Sequence, residues 1–333
     1  MRVSGRGRGG LTLATLSGAT FGTSGSFASS LIASGWSPGA AVTARVAIGA
    51  VLLTAPALAQ LRSLHMTRRA GLSLLLYGAL AVAGAQLCYF NAVAHLSVAV
   101  ALLLEYSGIL LVVAWGWARQ GRRPGRLTLL GSAAALAGLV LVLDLVGATH
   151  RADLAGVLWG LGAAVGLAVY FVIASATDGA LPPLVVAWGG LAVGAAVLGL
   201  AAVLGVLPVR VTTDDVTLFG RHVSWIVPVL GLSVVAGVVA YLAGIAAARR
   251  LGARLASFAG LGEVIFAVLF AWLLVGQRLD AVQLAGGAAL LTGIALVRLD
   301  ETSGAVTEQR PVSAATPPHR RHATPVTAAP EST

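Results

Sequence analysis

Ten stretches of about 20 apolar residues follow one another along the chain, and they constrain its fold more than any other feature. A stretch of that length crosses ~30 Å of hydrocarbon as a helix that rises ~1.5 Å per residue. Only 10% of the 333 residues are charged, against roughly 25% in soluble domains, which excludes an ordinary soluble enzyme. We predict an all-α membrane protein with ten transmembrane helices. They lie at approximately 11–32, 39–59, 71–93, 97–117, 127–146, 154–175, 183–206, 225–247, 253–275 and 281–299.

The first stretch is unusually rich in serine and threonine. Because it follows Arg2, Arg6 and Arg8, it also fits a signal peptide. We favour a retained helix, since hydroxyl groups can bond to carbonyls of their own helix and are then tolerated in lipid. The spacing of Gly18 and Gly22 also allows close helix packing.

Arginine clusters alternate with the apolar stretches and predict the orientation of the chain. The pairs Arg68-Arg69, Arg122-Arg123 and Arg249-Arg250 fall in the second, fourth and eighth connections, which lie on one side of the membrane, and basic residues concentrate in cytoplasmic loops. We therefore expect a multi-pass protein of the cell membrane with both termini in the cytoplasm. Residues 1–10 would form the cytoplasmic N-terminus. Residues 300–333, rich in Pro, Thr and Ala, would form a disordered cytoplasmic tail.

The two halves of the apolar region share short motifs in the same order, about 150 residues apart. The pattern at 117–123, Trp-x-x-x-Gly-Arg-Arg, returns at 272–278 as Trp-x-x-x-Gly-Gln-Arg, and 89–94 resembles 241–246. This predicts two five-helix repeats, 11–146 and 154–299. Because five is odd, the second repeat would enter the membrane in the opposite sense, as inverted repeats of transporters do.

Four patches resemble the EamA family of the drug/metabolite transporter superfamily: residues 44–49, 98–108, 262–264 and 274–279. Within that family, the run Ala-Leu-Leu-Leu-Glu-Tyr-Ser-Gly at 101–108 is similar to threonine/homoserine exporters. The resemblance implies a transporter of ten helices in two repeats. The chain departs from the family where Gly108 and Val264 stand in place of a common proline. Arg122 and Gln277 also replace a common glutamate.

Away from the ends of the apolar stretches, three normally charged side chains occur: Arg45, Glu105 and Glu263. A charge at the bilayer centre costs at least ~2.5 kcal/mol on insertion scales, so such residues are functional candidates. Glu105 and Glu263 would bind a substrate ammonium group or a coupling proton, or would join helices structurally. Arg45 would hold a substrate carboxylate or pair with Glu105. Alternatively, Arg45 would form a structural ion pair, or its long side chain would extend along the helix to contact a lipid headgroup.

Several uncharged polar residues could line the same cavity. Tyr89, Tyr106, Tyr241 and Asn91 are included in the predicted substrate or proton site. The alternatives are an aromatic belt at the membrane interface for the tyrosines and an interhelical hydrogen bond for Asn91. His95 is expected at the interface.

These features predict a secondary transporter, an exporter of a small polar metabolite such as an amino acid, working by alternating access around a midplane cavity. The chain has no Gly-x-x-x-x-Gly-Lys-Ser/Thr loop for ATP, so proton coupling or the substrate gradient would drive it. The partners would be the substrate and the lipid bilayer, without nucleic acid, cofactor or metal. A non-transporting scaffold or an intramembrane enzyme is the alternative, but no hydrolase motif supports an enzyme.

Overall fold

The computed structural model describes residues 5–62, 67–120, 125–143, 153–176 and 181–308, and these segments are mostly helical. Within them, seven helices are long and apolar enough to cross a membrane, and the apolar helices Arg126–Val142 and Leu261–Val275 are shorter. Many large apolar side chains are exposed on the outer surface, among them Val51, Leu130 and Ile265. The prediction of a helical membrane protein is confirmed, while the count of ten helices stays a prediction.

The helices of the first half follow the predicted stretches. They are α1 (Gly5–Gly22), α2 (Ser24–Ala33), α3 (Pro38–Leu61), α4 (Arg68–Leu76), α5 (Ala85–His95), α6 (Val98–Tyr106), α7 (Gly108–Gln120) and α8 (Arg126–Val142), with a π-helix at Tyr77–Gly84 joining α4 to α5. The helix α1 begins at Gly5, so the predicted N-terminal segment of residues 1–10 is already partly helical. Residues 1–4 lie outside the described part.

The second half contains the remaining elements. They are α9 (Leu154–Ala176), α10 (Pro183–Val203), β1 (Val216–Leu218), β2 (Arg221–Val223), α11 (Ile226–Leu230), α12 (Ala240–Val275) and α13 (Ala281–Glu308), with a second π-helix at Gly231–Val239. The two π-helices lie about 150 residues apart, the same offset as the sequence motifs. The chain therefore repeats an unusual backbone feature as well as short motifs.

Two predicted spans are interrupted by hydroxyl residues. Thr23 separates α1 from α2, and its Oγ1 donates to Thr20 O at 2.7 Å. Ser107 separates α6 from α7, and its Oγ donates to Leu104 O at 2.6 Å. Such local bonds compete with the helical hydrogen bonds of the backbone. The fourth span is thus interrupted without a proline, whereas α12 runs through Val264 without a break.

The two ends of the long helix α12, residues 240–251 and 261–275, both lie against α1. On α1, Ser17 donates to Ala240 O at 2.9 Å, while Gly22 lies against Phe266. These α1 residues are five positions apart, or ~8 Å, whereas 26 residues of straight helix would span ~39 Å. The segments on either side of residues 252–260 therefore lie side by side, as two separate spans would.

Two pairs of helices pack antiparallel. In α3 and α10, Thr54 accepts a hydrogen bond from Trp188, and Gly49 lies against Leu191. In α8 and α13, a Cβ added at Gly138 would lie 2.5 Å from Gly286 O, and one added at Gly131, nearer the start of α8, would lie 2.5 Å from Gly293 O. These contacts bring the backbones of α8 and α13 together directly.

The tail predicted from residue 300 onward overlaps the end of α13. The helix α13 continues to Glu308, and Asp300 Oδ2 accepts hydrogen bonds from Thr128 Oγ1 at 2.6 Å and from Thr128 N at 3.2 Å. Asp300 therefore holds the end of this span against the first turn of α8, whose free N–H groups need acceptors. The rest of the predicted tail, residues 309–333, lies outside the described part of the chain.

A β-hairpin in the connection between α10 and α11 shows that an all-α description is too narrow. The strands β1 and β2 pair antiparallel, with Val216 opposite Val223. Phe219 and Gly220 both have positive φ, as a tight hairpin turn requires. Val216 and Leu218 are buried, and Phe219 N donates to Leu274 O at 2.9 Å. The hairpin thus packs against the end of α12 instead of forming a loose loop.

Candidate substrate site

A cavity of about 450 Å³ lies among the helices and contains the predicted charged residues. Its wall is formed by α1, α2, α3, the first π-helix, α5, α6, α9, α12 and α13. The charged side chains in the wall are Arg45, Glu105, Glu263 and Arg298. This size lies within the range of small-molecule sites, roughly 300–1,000 Å³.

Arg45 is buried and hydrogen-bonded to three different elements. Its side chain donates to Ser24 Oγ at 2.8 Å, to Gln86 Oε1 and to Ala236 O at 3.1 Å. Only 4% of the residue is exposed, so the interpretation in which Arg45 extends to the lipid headgroups is wrong. Within the described residues Arg45 forms no ion pair with Glu105. The guanidinium instead joins α2, α5 and the second π-helix through neutral acceptors.

Glu105 occupies the last turn of α6, directly before the interruption at Ser107. The carboxylate lines the cavity. Its side chain forms no hydrogen bond or ion pair with the residues that the structure describes. Ser107 is 6% exposed and bonds back to the helix, so it does not compete for that carboxylate. Glu105 is therefore available to a ligand in the cavity.

Glu263 lies on α12 and is linked to the segment that carries Glu105. Tyr106 Oη donates a hydrogen bond to Glu263 Oε2 at 3.0 Å. A hydrogen bond to a carboxylate is stronger than one between neutral groups. The cavity therefore contains one carboxylate held by a phenol and one without such a partner.

All five tyrosines of the chain line this cavity: Tyr77, Tyr89, Tyr106, Tyr170 and Tyr241. Their rings pack closely, with Tyr77 and Tyr170 centroids 5.9 Å apart. The interfacial belt expected for the tyrosines is therefore wrong. Trp115, Trp159 and Trp272 instead present between 39% and 50% of their surface to the outside, where an aromatic residue can meet lipid headgroups.

Two residues considered from the sequence lie elsewhere. Asn91 Nδ2 donates to Leu87 O of its own helix at 2.7 Å, and Asn91 does not line the cavity. His95 Nδ1 lies 2.7 Å from Asp153 Oδ2 at an exposed position, which connects the end of α5 to the start of α9. Of the predicted site residues, the cavity thus contains Arg45, Glu105, Glu263, Tyr89, Tyr106 and Tyr241.

Arg298 is the charged residue that sequence reasoning missed. It lies 17 residues into α13, near the end of the predicted span, and its guanidinium lies 5.1 Å from the centre of the Phe171 ring. An arginine so close to the end of a span is ordinarily expected to reach the membrane surface. The structure brings it into the same cavity as both glutamates.

One end of the helix assembly is closed by a side-chain bridge. Gln277, in the connection between α12 and α13, accepts from Val98 N at 2.9 Å and donates to Ser29 Oγ at 3.3 Å. Nearby, Trp36 donates to Thr212 O at 2.9 Å. These contacts join α2, α6 and the connection between α2 and α3 to two connections of the second half. No cluster of three His, Cys, Asp or Glu side chains that could hold a metal occurs among the described residues.

Comparisons with known proteins agree with this architecture. A model of the EamA-like transporter family matches the chain twice, at residues 8–144 and 154–299. A solved structure titled "Crystal structure of protein" is similar with a TM-score of 0.58 at 20% sequence identity, over 88% of this chain and 98% of that one. At this identity the likeness shows the fold alone. No curated protein matches the chain.

Proposed function

Because the chain belongs to the EamA-like transporter family, we propose that it is a secondary transporter that exports a small polar metabolite, such as an amino acid, across the cell membrane. The observation that carries this proposal is the arrangement of charges in the central cavity. Glu105 and Glu263 offer two carboxylates, and Arg298 offers a cation in the same space. A zwitterion such as an amino acid could meet opposite charges at both of its ends.

The roles of the two arginines differ in this proposal. Arg45 already donates to three protein acceptors and fixes three elements of the wall. It is therefore assigned to shaping the cavity. Arg298 is assigned to the substrate carboxylate, while Glu105 receives the ammonium group. Glu263, held by Tyr106, adds negative charge to the same cavity.

Alternating access is the proposed mechanism, with ten spans, both termini in the cytoplasm and two inverted repeats. The antiparallel pairs α3 with α10 and α8 with α13 support inversion, because equivalent helices of inverted repeats run in opposite directions. The matching π-helices support the same internal symmetry. In the state described here, the Gln277 bridge would close the outer end of the cavity.

Transport by purified protein in liposomes tests the proposal. With alanine as the labelled probe, we expect Glu105→Gln to reduce the rate of counterflow about 10- to 100-fold, since a hydrogen bond to a charged group contributes ~1.5–3 kcal/mol. Asp214→Asn is the matched control, because it makes the same change at an exposed residue of the long connection. Equal rates in the wild type and Glu105→Gln would contradict the assigned role.

Proton coupling is tested separately with an imposed pH step. If Glu105 or Glu263 carries a proton, the pH step should drive accumulation of the probe in wild-type liposomes. The double variant Glu105→Gln and Glu263→Gln should not accumulate it. Equal transport with and without the pH step would exclude proton coupling and would indicate facilitated diffusion.

A further inference from the structure

A second cavity of about 280 Å³ adjoins the central one and differs from it in chemistry. We call it the vestibule. Its wall is mainly aliphatic and includes Leu74, Ile173, Leu181, Val186 and Ile245. No charged side chain lines it among the described residues, and the polar groups in its wall are the hydroxyl of Ser73 and those of tyrosines.

Three residues belong to the walls of both the vestibule and the central cavity. Tyr77, Tyr170 and Tyr241 line both spaces. Each tyrosine offers an apolar ring and a polar hydroxyl, so these residues suit a boundary between an apolar and a charged compartment. The two cavities are therefore adjacent, and these tyrosines lie between them.

The shape of the vestibule depends on two consecutive glycines of α10. A Cβ at Gly189 would lie 2.5 Å from Leu74 Cδ2, and one at Gly190 would overlap the ring of Tyr77. These glycines let α4 and the first π-helix pack directly against α10. The vestibule lies beside this contact, between α4, α9, α10 and α12. The packing of these helices therefore determines its volume.

We propose that the vestibule is an apolar subsite, so that preferred substrates combine an ammonium group with a compact aliphatic side chain. This inference rests on the proposed function. The ammonium group would lie at the glutamates and the side chain would extend past the tyrosines into the vestibule. A cavity of about 150 Å³ with an aliphatic lining holds a benzene molecule, so the volume of the vestibule suffices for a butyl group.

The size of the preference follows from burial of methylene groups. Each buried methylene contributes about fourfold in affinity. From alanine through 2-aminobutyrate and norvaline to norleucine, the affinity should therefore rise roughly 60-fold in total. The central cavity also has apolar side chains in its wall, among them Leu102 and Phe171, so variants of the vestibule decide in which of the two cavities the methylene groups are buried.

Binding of this series to the purified full chain tests the inference. The rise of the unfolding temperature with ligand concentration gives an apparent Kd for each amino acid. We expect Ala70→Phe, which fills the vestibule, to reduce the 60-fold ratio between norleucine and alanine to less than fivefold. Ala133→Phe is the control, because Ala133 is exposed on α8 far along the chain from the vestibule, and it should keep the ratio.

An enlarging variant keeps the test decisive if Ala70→Phe does not fold. Ile245→Ala should move the tightest binding from norleucine to a longer homologue such as 2-aminooctanoate. Equal affinity across the series in the wild type, or an unchanged preference in both vestibule variants, would overturn the apolar subsite and leave the proposed transport intact. Failure of every member of the series to bind would overturn both.

Discussion

The hydroxyl of Tyr106 lies 3.0 Å from Oε2 of Glu263 and donates a hydrogen bond to it. Tyr106 is the last residue of α6 and follows Glu105 directly, whereas Glu263 belongs to α12. One hydrogen bond therefore connects the two segments that carry the carboxylates of the cavity. Any movement that separates α6 from α12 must break it.

Replacing Tyr106 by phenylalanine removes that bond and keeps the ring. We expect Tyr106→Phe to lower the free energy of unfolding by about 2 kcal/mol, because the variant loses a hydrogen bond to a charged group. Thermal unfolding in detergent measures this change. Tyr170→Phe removes a hydroxyl from the same cavity without touching Glu263, and its effect should be less than half as large. Equal effects of the two variants would contradict the importance of the Tyr106 bond.

Arg45 should not tolerate lysine. An ammonium group is compact and cannot reproduce the planar fork with which the guanidinium reaches Ser24, Gln86 and Ala236. At least one buried acceptor then loses its donor, which costs about 1–3 kcal/mol. Arg45→Lys should therefore unfold at a clearly lower temperature than the wild type. Arg119→Lys, at an exposed arginine over the ring of Trp115, should change stability by no more than about 0.5 kcal/mol.

The contact between α8 and α13 leaves no room for a methyl group. A Cβ at Gly138 would lie 2.5 Å from both Gly286 O and Leu290 N. We expect Gly138→Ala to destabilise the protein by about 1–3 kcal/mol through overpacking. Gly116→Ala is the control, because nothing lies within 4 Å of a Cβ there, and alanine favours a helix over glycine. A destabilisation by Gly116→Ala as large as that by Gly138→Ala would contradict this interpretation.

Asp153 makes stability depend on pH at the start of α9. Its carboxylate accepts hydrogen bonds from Ala155 N and from His95, and these bonds keep the pKa of Asp153 below its ordinary value. The stabilisation of the folded protein by Asp153 is therefore complete at pH values above the ordinary pKa of an aspartate, ~3.9. It is lost as the pH falls through the lowered pKa of the folded state. Asp153→Asn should unfold at a lower temperature than the wild type at pH 6.

The difference between wild type and Asp153→Asn should shrink as the pH falls below about 3, because both side chains are then neutral. Asp214→Asn, at an exposed loop residue, provides the comparison for a simple change of net charge. A difference that stays constant from pH 6 to pH 3 would show that the lowered pKa of Asp153 does not contribute.

The sequence predicts the spans well because apolar length alone decides what can cross a bilayer. The ends of the helices depend on single polar contacts, which apolar length does not show. Asp300 caps Thr128 and lies inside the extended α13, although a charge near position 300 indicated the end of the span. The hairpin turn at Phe219 was equally hidden, since a large aromatic residue rarely takes a positive φ.

The cavity residues were predictable where charge in lipid is costly, as for Glu105 and Glu263. Arg298 was missed because an arginine near a helix end is expected to reach the headgroups. Helical spacing would have improved the prediction of the uncharged residues that line the cavity. Counting back from Tyr89 in steps of four gives 85, 81 and 77, and all of these positions line the cavity. Asn91 lies two positions from Tyr89 and so points to another side of the helix.

The confinement of every tyrosine to one cavity makes this chain a convenient object for spectroscopy. Protein grown with 3-fluorotyrosine would carry five fluorine nuclei, all of them on residues that line the central cavity. Each resonance would then report on occupancy or on opening of that cavity without background from elsewhere. A titration with amino acids could then follow binding at that cavity in the unmutated protein.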